Sequence, residues 1–198
     1  MKGKFIVLYG INNLGKTTQI KLLIEKLKEH GITAEFLKYG VYDLEPSGVM
    51  LNEYLRQGNP YKFSPREFQM CHAFNRTQYE PILKQRLEAG TWIIAEDYKG
   101  TGICWGVGAG VDQDFLIRLN AHLLGEDLCI LFDGERFISG IEVNHKHEQD
   151  AELTNKVRAV HLDLAKKFDW NIINANQPVP EVHQTIWNLI NTKFQITD

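Results

Sequence analysis

Eight residues near the start of the chain, Gly10-Ile11-Asn12-Asn13-Leu14-Gly15-Lys16-Thr17, follow the pattern G-x-x-x-x-G-K-[ST]. The chemistry of that pattern is anion binding. Glycines let successive backbone N–H groups wrap a phosphate, a helix N-terminus adds partial positive charge, and a lysine adds a whole one. Lys16 is expected to reach the β- and γ-phosphates of a nucleotide and Thr17 to ligate Mg²⁺ through its hydroxyl. Gly10, Asn12, Asn13, Leu14, Gly15 and Thr18 complete the expected cradle. A chance match in a glycine-containing turn would lack the flanks found here. The apolar run Phe5-Ile6-Val7-Leu8-Tyr9 reads as a buried strand before the loop, and Gln19 to Leu27 reads as a helix after it.

Four further groups could carry chemistry. Glu96-Asp97 follows an apolar strand, and paired carboxylates there suit Mg²⁺ or a substrate hydroxyl; the plainer reading is a solvated charge pair. Arg76 falls within a long helical pattern, where an arginine is ordinarily a surface residue. Trp105 lies in the glycine-rich stretch 100–110, which has little intrinsic stiffness, and is either a core anchor or an aromatic that stacks on a base. His145-Lys146-His147-Glu148, between two helical segments, is a mobile basic loop rather than a metal site, because no Cys or third His stands near the H-x-H.

These residues need elements to place them. Thr33 to Tyr39 reads as a second strand after a helix that ends at Gly31. Ser64-Pro65-Arg66-Glu67 is a capping box with proline at the first helical position, predicting a helix to about Ala89 that stops at Gly90. Thr91 to Ala95, Asp127 to Phe132 and Asn171 to Asn174 read as three more strands, and Val182, Ile186, Leu189 and Ile190 form one face of a last helix. Continuous apolar strands alternating with helices predict an α/β fold, a five-stranded parallel sheet with helices on both faces. Ligands bind such sheets at the strands' carboxyl ends, where Gly10, Tyr39-Gly40, Glu96-Asp97 and Asp133 all fall.

Composition narrows the partners. The 198 residues carry a net charge of −3, which gives no general attraction to nucleic acid. Apolar runs are too short for a membrane span, and Met1-Lys2-Gly3-Lys4 enters a strand at once, so neither a membrane span nor a signal peptide is expected. Cys71, Cys104 and Cys129 lie far apart, as in a reduced cytoplasmic protein.

In order and spacing, nearly the whole chain resembles the thymidylate kinase family of phosphate-loop kinases. Gly10 to Gln19 resembles the family's G-x-D-G-x-G-K-T-T-Q, with Asn12 in the aspartate's place. Phe74-Asn75-Arg76 resembles its helix motif, Glu96-Asp97-Tyr98 its Asp-Arg-Tyr motif, and Thr101 to Gly106 the segment whose aromatic lies beside thymine. Lys156 to Leu162, Ala165 to Phe168 and Val182-His183 resemble the family's last third. The resemblance implies a phosphate-loop kinase fold in a single domain over residues 1–198, with a lid at about 138–151. It implies transfer of the γ-phosphoryl of ATP to a nucleoside monophosphate, dTMP foremost, with Mg²⁺. Lys16, Arg76, Glu96, Asp97 and Lys146 are then the catalytic candidates, Arg76 holding the acceptor phosphate. Tyr42, His72, Tyr98 and Trp105 join Arg76 around the acceptor, and Thr17, Glu96 and Asp97 are the metal candidates. A cytoplasmic homodimer acting on small-molecule nucleotides is implied, with no nucleic acid and no membrane.

The departures concern arginine. The Asp-Arg-Tyr arginine is Asp97 here, the lid from Ile138 to Ala151 holds no arginine, and Glu142 stands where one is usual. Arg136 precedes the lid as a remote substitute. Three explanations follow: compensation by Lys99, Lys146 or a second Mg²⁺ at Asp97; a nucleoside acceptor without a phosphate; or a nucleotide-binding relative without catalysis.

Overall fold

The computed structural model describes residues 2–137 and 151–196. Five strands make its sheet: β1 (Phe5–Tyr9), β2 (Ala34–Lys38), β3 (Trp92–Glu96), β4 (Leu128–Asp133) and β5 (Asn171–Asn174). All neighbours are parallel, in the order β2-β3-β1-β4-β5. β1 is central and every residue of it is buried, which is why its sequence is a continuous apolar run. Val7 aligns with Ala95 on one side and with Cys129 on the other. The chain therefore leaves β1 in opposite lateral directions, and the carboxyl end of β1 is the switch point of the sheet.

The described residues form seven helices: α1 (Lys16–Glu29), α2 (Ser47–Arg56), α3 (Pro65–Glu88), α4 (Lys99–Gly108), α5 (Gln113–Asn120), α6 (Ala151–Lys167) and α7 (Val179–Phe194). Alternating strand residues divide the core. Ile6, Leu8, Ile94, Ile130 and Ile173 pack with residues of α1 and α7. Phe5, Val7, Tyr9, Ile93, Ala95 and Leu131 pack with Tyr79, Leu83 and Leu87 of α3. Among the described residues no helix is long and apolar enough to cross a membrane.

Local signals fix α3 as the sequence predicts. The Ser64 hydroxyl accepts from the Glu67 N–H, the Glu67 carboxylate accepts from the Ser64 N–H at 2.8 Å, and Pro65 opens the helix. Gly90 ends it at φ 92°. The glycine-rich stretch corrects the expectation of a pliant segment: residues 99–108 are helix α4. Its glycines are sites of close approach. A Cβ on Gly106 would lie 2.6 Å from Leu116 and one on Gly108 2.7 Å from Val157. α2 and α5 are additions that the sequence reading did not place. α5 is capped by Asp112, whose Oδ1 accepts from the Phe115 N–H at 2.7 Å. Residues 134–137, after β4, are not helical. The expected lid, with Lys146, Glu142 and the His145–Glu148 run, lies outside the described residues except for Ala151, where α6 begins.

Candidate active site

Where β1 ends, the chain turns at Gly10 with φ 135°, and a Cβ there would come within 2.6 Å of the Phe132 carbonyl oxygen. The loop closes at Gly15, φ 80°, which directly precedes α1. Lys16 opens that helix and is 3% exposed. Its ammonium donates to the carbonyls of Gly10 and Ile11, both at 2.9 Å, and stands 3.9 Å from Asp97 Oδ1. The lysine is thus held over the mouth of its own loop, facing the end of β3.

At the end of β3 the two carboxylates behave differently. Glu96 uses both oxygens: Oε2 accepts from the Thr17 hydroxyl at 2.5 Å, and Oε1 pairs with the Lys38 ammonium at 3.2 Å. Burial alone would raise its carboxyl, but the Lys16 and Lys38 ammoniums and the Thr17 hydroxyl outweigh that and hold it below the ordinary value. Asp97 has φ 65° and accepts from the Thr101 hydroxyl at 2.9 Å. Burial raises its carboxyl, Lys16 opposes the rise and Glu96 adds to it. Thr17, Glu96 and Asp97 therefore stand together as hard oxygen donors of the kind Mg²⁺ takes. Among the described residues no group of three His, Cys, Asp or Glu could hold a metal without such help.

α3 supplies the opposite wall. Arg76 is 3% exposed, and its Nη1 donates to Asn120 Oδ1 at 3.0 Å. Among the described residues it has no carboxylate partner. Its Nε is buried without a partner, as are the hydroxyls of Tyr39 and Tyr98. Burial lowers the guanidinium from its ordinary value, so an anion is its natural complement. Arg76 fits because residue 102 is glycine: a Cβ there would lie 2.5 Å from Nη2. The neighbouring Asn75 is fully buried and clamps the Tyr42 loop. Its side chain bonds the N–H and the carbonyl of Val41 and the hydroxyl of Ser47, each at 2.9 Å.

One cavity of about 420 Å³ joins these walls. Asn12, Asn13, Leu14, Gly15, Lys16, Thr17 and Thr18 line one end, with Gly10 behind them at the strand terminus. Tyr42, His72, Arg76, Tyr98 and Trp105 line the rest. Trp105 is 8% exposed within the core, as the core-anchor reading expects, and also borders the cavity. Tyr98 borders it from within the core, its ring buried against Phe5 and Tyr39 with centroids 5.0 and 4.9 Å away.

The supposed substitute charges fare unevenly. Lys99 does not line the cavity; its ammonium pairs with Glu126 at 2.9 Å, because the first turn of α4 directs it toward the segment before β4. Arg136 does not border the cavity either. Lys146 lies outside the described residues. Several residues that sequence reasoning passed over do line it, among them the polar Lys38, Arg56 and Gln69. Lys38 carried a readable signal, a cation at the carboxyl end of a strand, where ligands of parallel sheets gather.

Comparison with known proteins agrees with this geometry. A family model described as thymidylate kinase matches residues 8–186. The thymidylate kinase of a Synechococcus species is 27% identical over 211 residues, covering 99% of each chain. The probable thymidylate kinase of Thermococcus kodakarensis is 30% identical over 201 residues, covering 95% of this chain and 97% of the relative. Among solved structures, the thymidylate kinase of Candida albicans matches with a TM-score of 0.85 and 21% identity, over 99% of this chain and 94% of the other. That likeness fixes the fold as the phosphate-loop kinase fold.

Proposed function

Because the chain belongs to the thymidylate kinase family, we propose that it transfers the γ-phosphoryl group of ATP to dTMP, giving ADP and dTDP. The observation that carries this reading is one cavity that joins the phosphate loop to a buried arginine which, among the described residues, has no carboxylate partner. A donor triphosphate and an acceptor monophosphate can meet there end to end. An oxygen of the acceptor phosphate attacks Pγ; the bond from Pγ to the bridging oxygen breaks, and its electron pair leaves with ADP. The attacking oxygen already carries charge, so the protein supplies position and electrostatics rather than a base. Lys16 and the loop N–H groups hold the triphosphate, and Arg76 holds the acceptor phosphate. Tyr42, His72 and Trp105 flank the base, with Tyr98 behind them. Thr17, Glu96 and Asp97 would hold Mg²⁺, which neutralises phosphate charge when bound.

The same reading makes the chain one domain, with residues 138–151 as a lid that carries Lys146, working in the cytoplasm on small-molecule nucleotides. Three free cysteines support a reduced compartment. We also assign a homodimer. α3 leaves Met70, Phe74 and Ile82 at 47%, 44% and 38% exposure along one stripe, an apolar face that a second copy would cover. Light scattering should read a dimer for the natural chain and a monomer for Phe74→Glu; a monomer in both would remove the assignment.

ADP release with ATP and Mg²⁺, read across nucleosides and nucleoside monophosphates, tests the activity. Turnover with dTMP and none with thymidine is expected, since Arg76 needs a phosphate to pair with. Turnover with thymidine alone would make the protein a nucleoside kinase, and ATP binding without turnover on any acceptor would make it a silent relative.

A further inference from the structure

The geometry points to Lys38 as the cation that engages the transferring phosphoryl group, with Glu96 as its resting partner; this rests on the kinase reading above. Four cations border the cavity, and three of them are committed. Lys16 is buried and bonded to two carbonyls of its own loop. Arg76 is buried on α3 beside Asn120. Arg56 lies over the Tyr42 ring at 4.9 Å and bonds Asn52. Lys38 differs: its side chain is 53% exposed, so its ammonium can move.

Its location suits the reaction. Lys38 is the last residue of β2 and lies directly beside Glu96, the last residue of β3, in the sheet register. Neighbouring strands are about 4.8 Å apart, so Lys38 stands one strand from the carboxylates and two from the strand that feeds the phosphate loop. One carboxylate bridges the Lys38 ammonium and the Thr17 hydroxyl, at 3.2 and 2.5 Å. The ammonium and the hydroxyl expected to reach a nucleotide's metal thus share one carboxylate, each on its own oxygen. Between loop and acceptor arginine, the equatorial oxygens of the moving phosphoryl group gather negative charge. The cavity's remaining nearby charges, Glu96 and Asp97, are both negative. Lys38 turns from Glu96 to those oxygens, forming a charge-assisted contact that is strongest in the transition state. Bond making and breaking at Pγ are unchanged by it, and no proton moves.

Lys38→Met and Lys38→Arg test this, with ADP release measured at saturating ATP, dTMP and Mg²⁺ and also without acceptor, where water takes the phosphoryl group slowly. Removing one donor that engages charge in the transition state lowers kcat about 10²–10³-fold. Lys38→Met should show that loss in kcat with KM for ATP and dTMP nearly unchanged, and Lys38→Arg should recover most of it. Thermal denaturation and binding of a fluorescent ATP analogue confirm that each variant folds and binds. The inference is overturned if Lys38→Met keeps kcat within about threefold, if the loss lies wholly in KM, or if excess Mg²⁺ restores the rate, which would leave Lys38 only a prop for Glu96. Failure of the natural chain on every acceptor would strike the kinase reading instead. The acceptor-free hydrolysis rates of the natural chain and Lys38→Met would then still decide the role of Lys38.

Discussion

Asp97 faces Lys16 at 3.9 Å from a position where φ is 65° and the side chain is 13% exposed. At that distance a pair of unit charges is worth about 4 kcal/mol at an effective dielectric near 20. Asp97→Arg turns this attraction into repulsion and presses on the lysine that must meet the triphosphate. We expect kcat/KM to fall by at least about tenfold, with weaker ATP binding and a milder loss in Asp97→Asn. A gain of activity in Asp97→Arg would identify a decayed arginine position rather than a working carboxylate, and steady-state kinetics on the three proteins decides between them. At this scale the sequence exposed much of the site. The phosphate loop and the Glu96-Asp97 pair are readable because their spacing is local or their position at a strand end is distinctive, whereas Arg76 reads as an ordinary surface arginine and is singled out by the family resemblance alone. Lys38 was not read, because a lysine ending a strand looks like any solvated charge until the lateral register sets it against Glu96. The burial of Arg76 was hidden for a related reason: what makes room for it is a glycine on another helix.

That other helix, α4, shows how an element can defy its own composition. Glycine costs about 1 kcal/mol relative to alanine in a helix interior, and Lys99–Gly108 carries Gly100, Gly102, Gly106 and Gly108. Packing overrides propensity, since each of these glycines admits a neighbour that a Cβ would strike. The neighbours are not equivalent, and two substitutions separate them. A Cβ on Gly100 would lie 2.5 Å from Trp170 and 2.9 Å from the Tyr9 ring, and these rings are stacked on each other at 4.3 Å. Gly100→Ala should lose about 1–3 kcal/mol of stability by overpacking. For a Cβ on Gly102 the three nearest atoms all belong to the guanidinium of Arg76, the far end of a flexible side chain. Gly102→Ala should keep its melting temperature within a few degrees yet raise KM for dTMP about tenfold, because Arg76 is displaced. Unchanged KM in Gly102→Ala, or unchanged denaturation in Gly100→Ala, would contradict the packing argument. α3 is the opposite case. Its capping box and terminal glycine are local signals, so its limits could be read directly, whereas α4 and the short helices α2 and α5 depend on contacts from distant segments.

Across the whole molecule, the parallel sheet was legible because buried strands are apolar on both faces. Its lateral order was not, since the order β2-β3-β1-β4-β5 is set by where each crossover lands. One consequence of that assembly is a histidine sealed into α6. His161 is 1% exposed; its Nδ1 lies 2.9 Å from the Val157 carbonyl and its Nε2 is buried without a partner. Burial is the main cause that lowers its pKa from 6.5 to about 4, with Lys16 pressing the same way and the Val157 carbonyl and Asp133 opposing. Folding therefore favours the neutral ring. Its contribution to stability is fully present above pH 6.5, the unfolded value, and is lost as pH falls toward about 4. The site carboxylates complicate the raw profile. Glu96, held low, adds stability at higher pH, while Asp97, held high, adds it only at lower pH. A comparison with His161→Gln cancels both. Urea denaturation at one protein concentration should show the stability difference between the two proteins shifting by about 2 kcal/mol against the natural chain between pH 8 and pH 5. A pH-independent difference would mean that His161 is hydrated or partnered in solution, and that the packing around the middle of α6 opens to water.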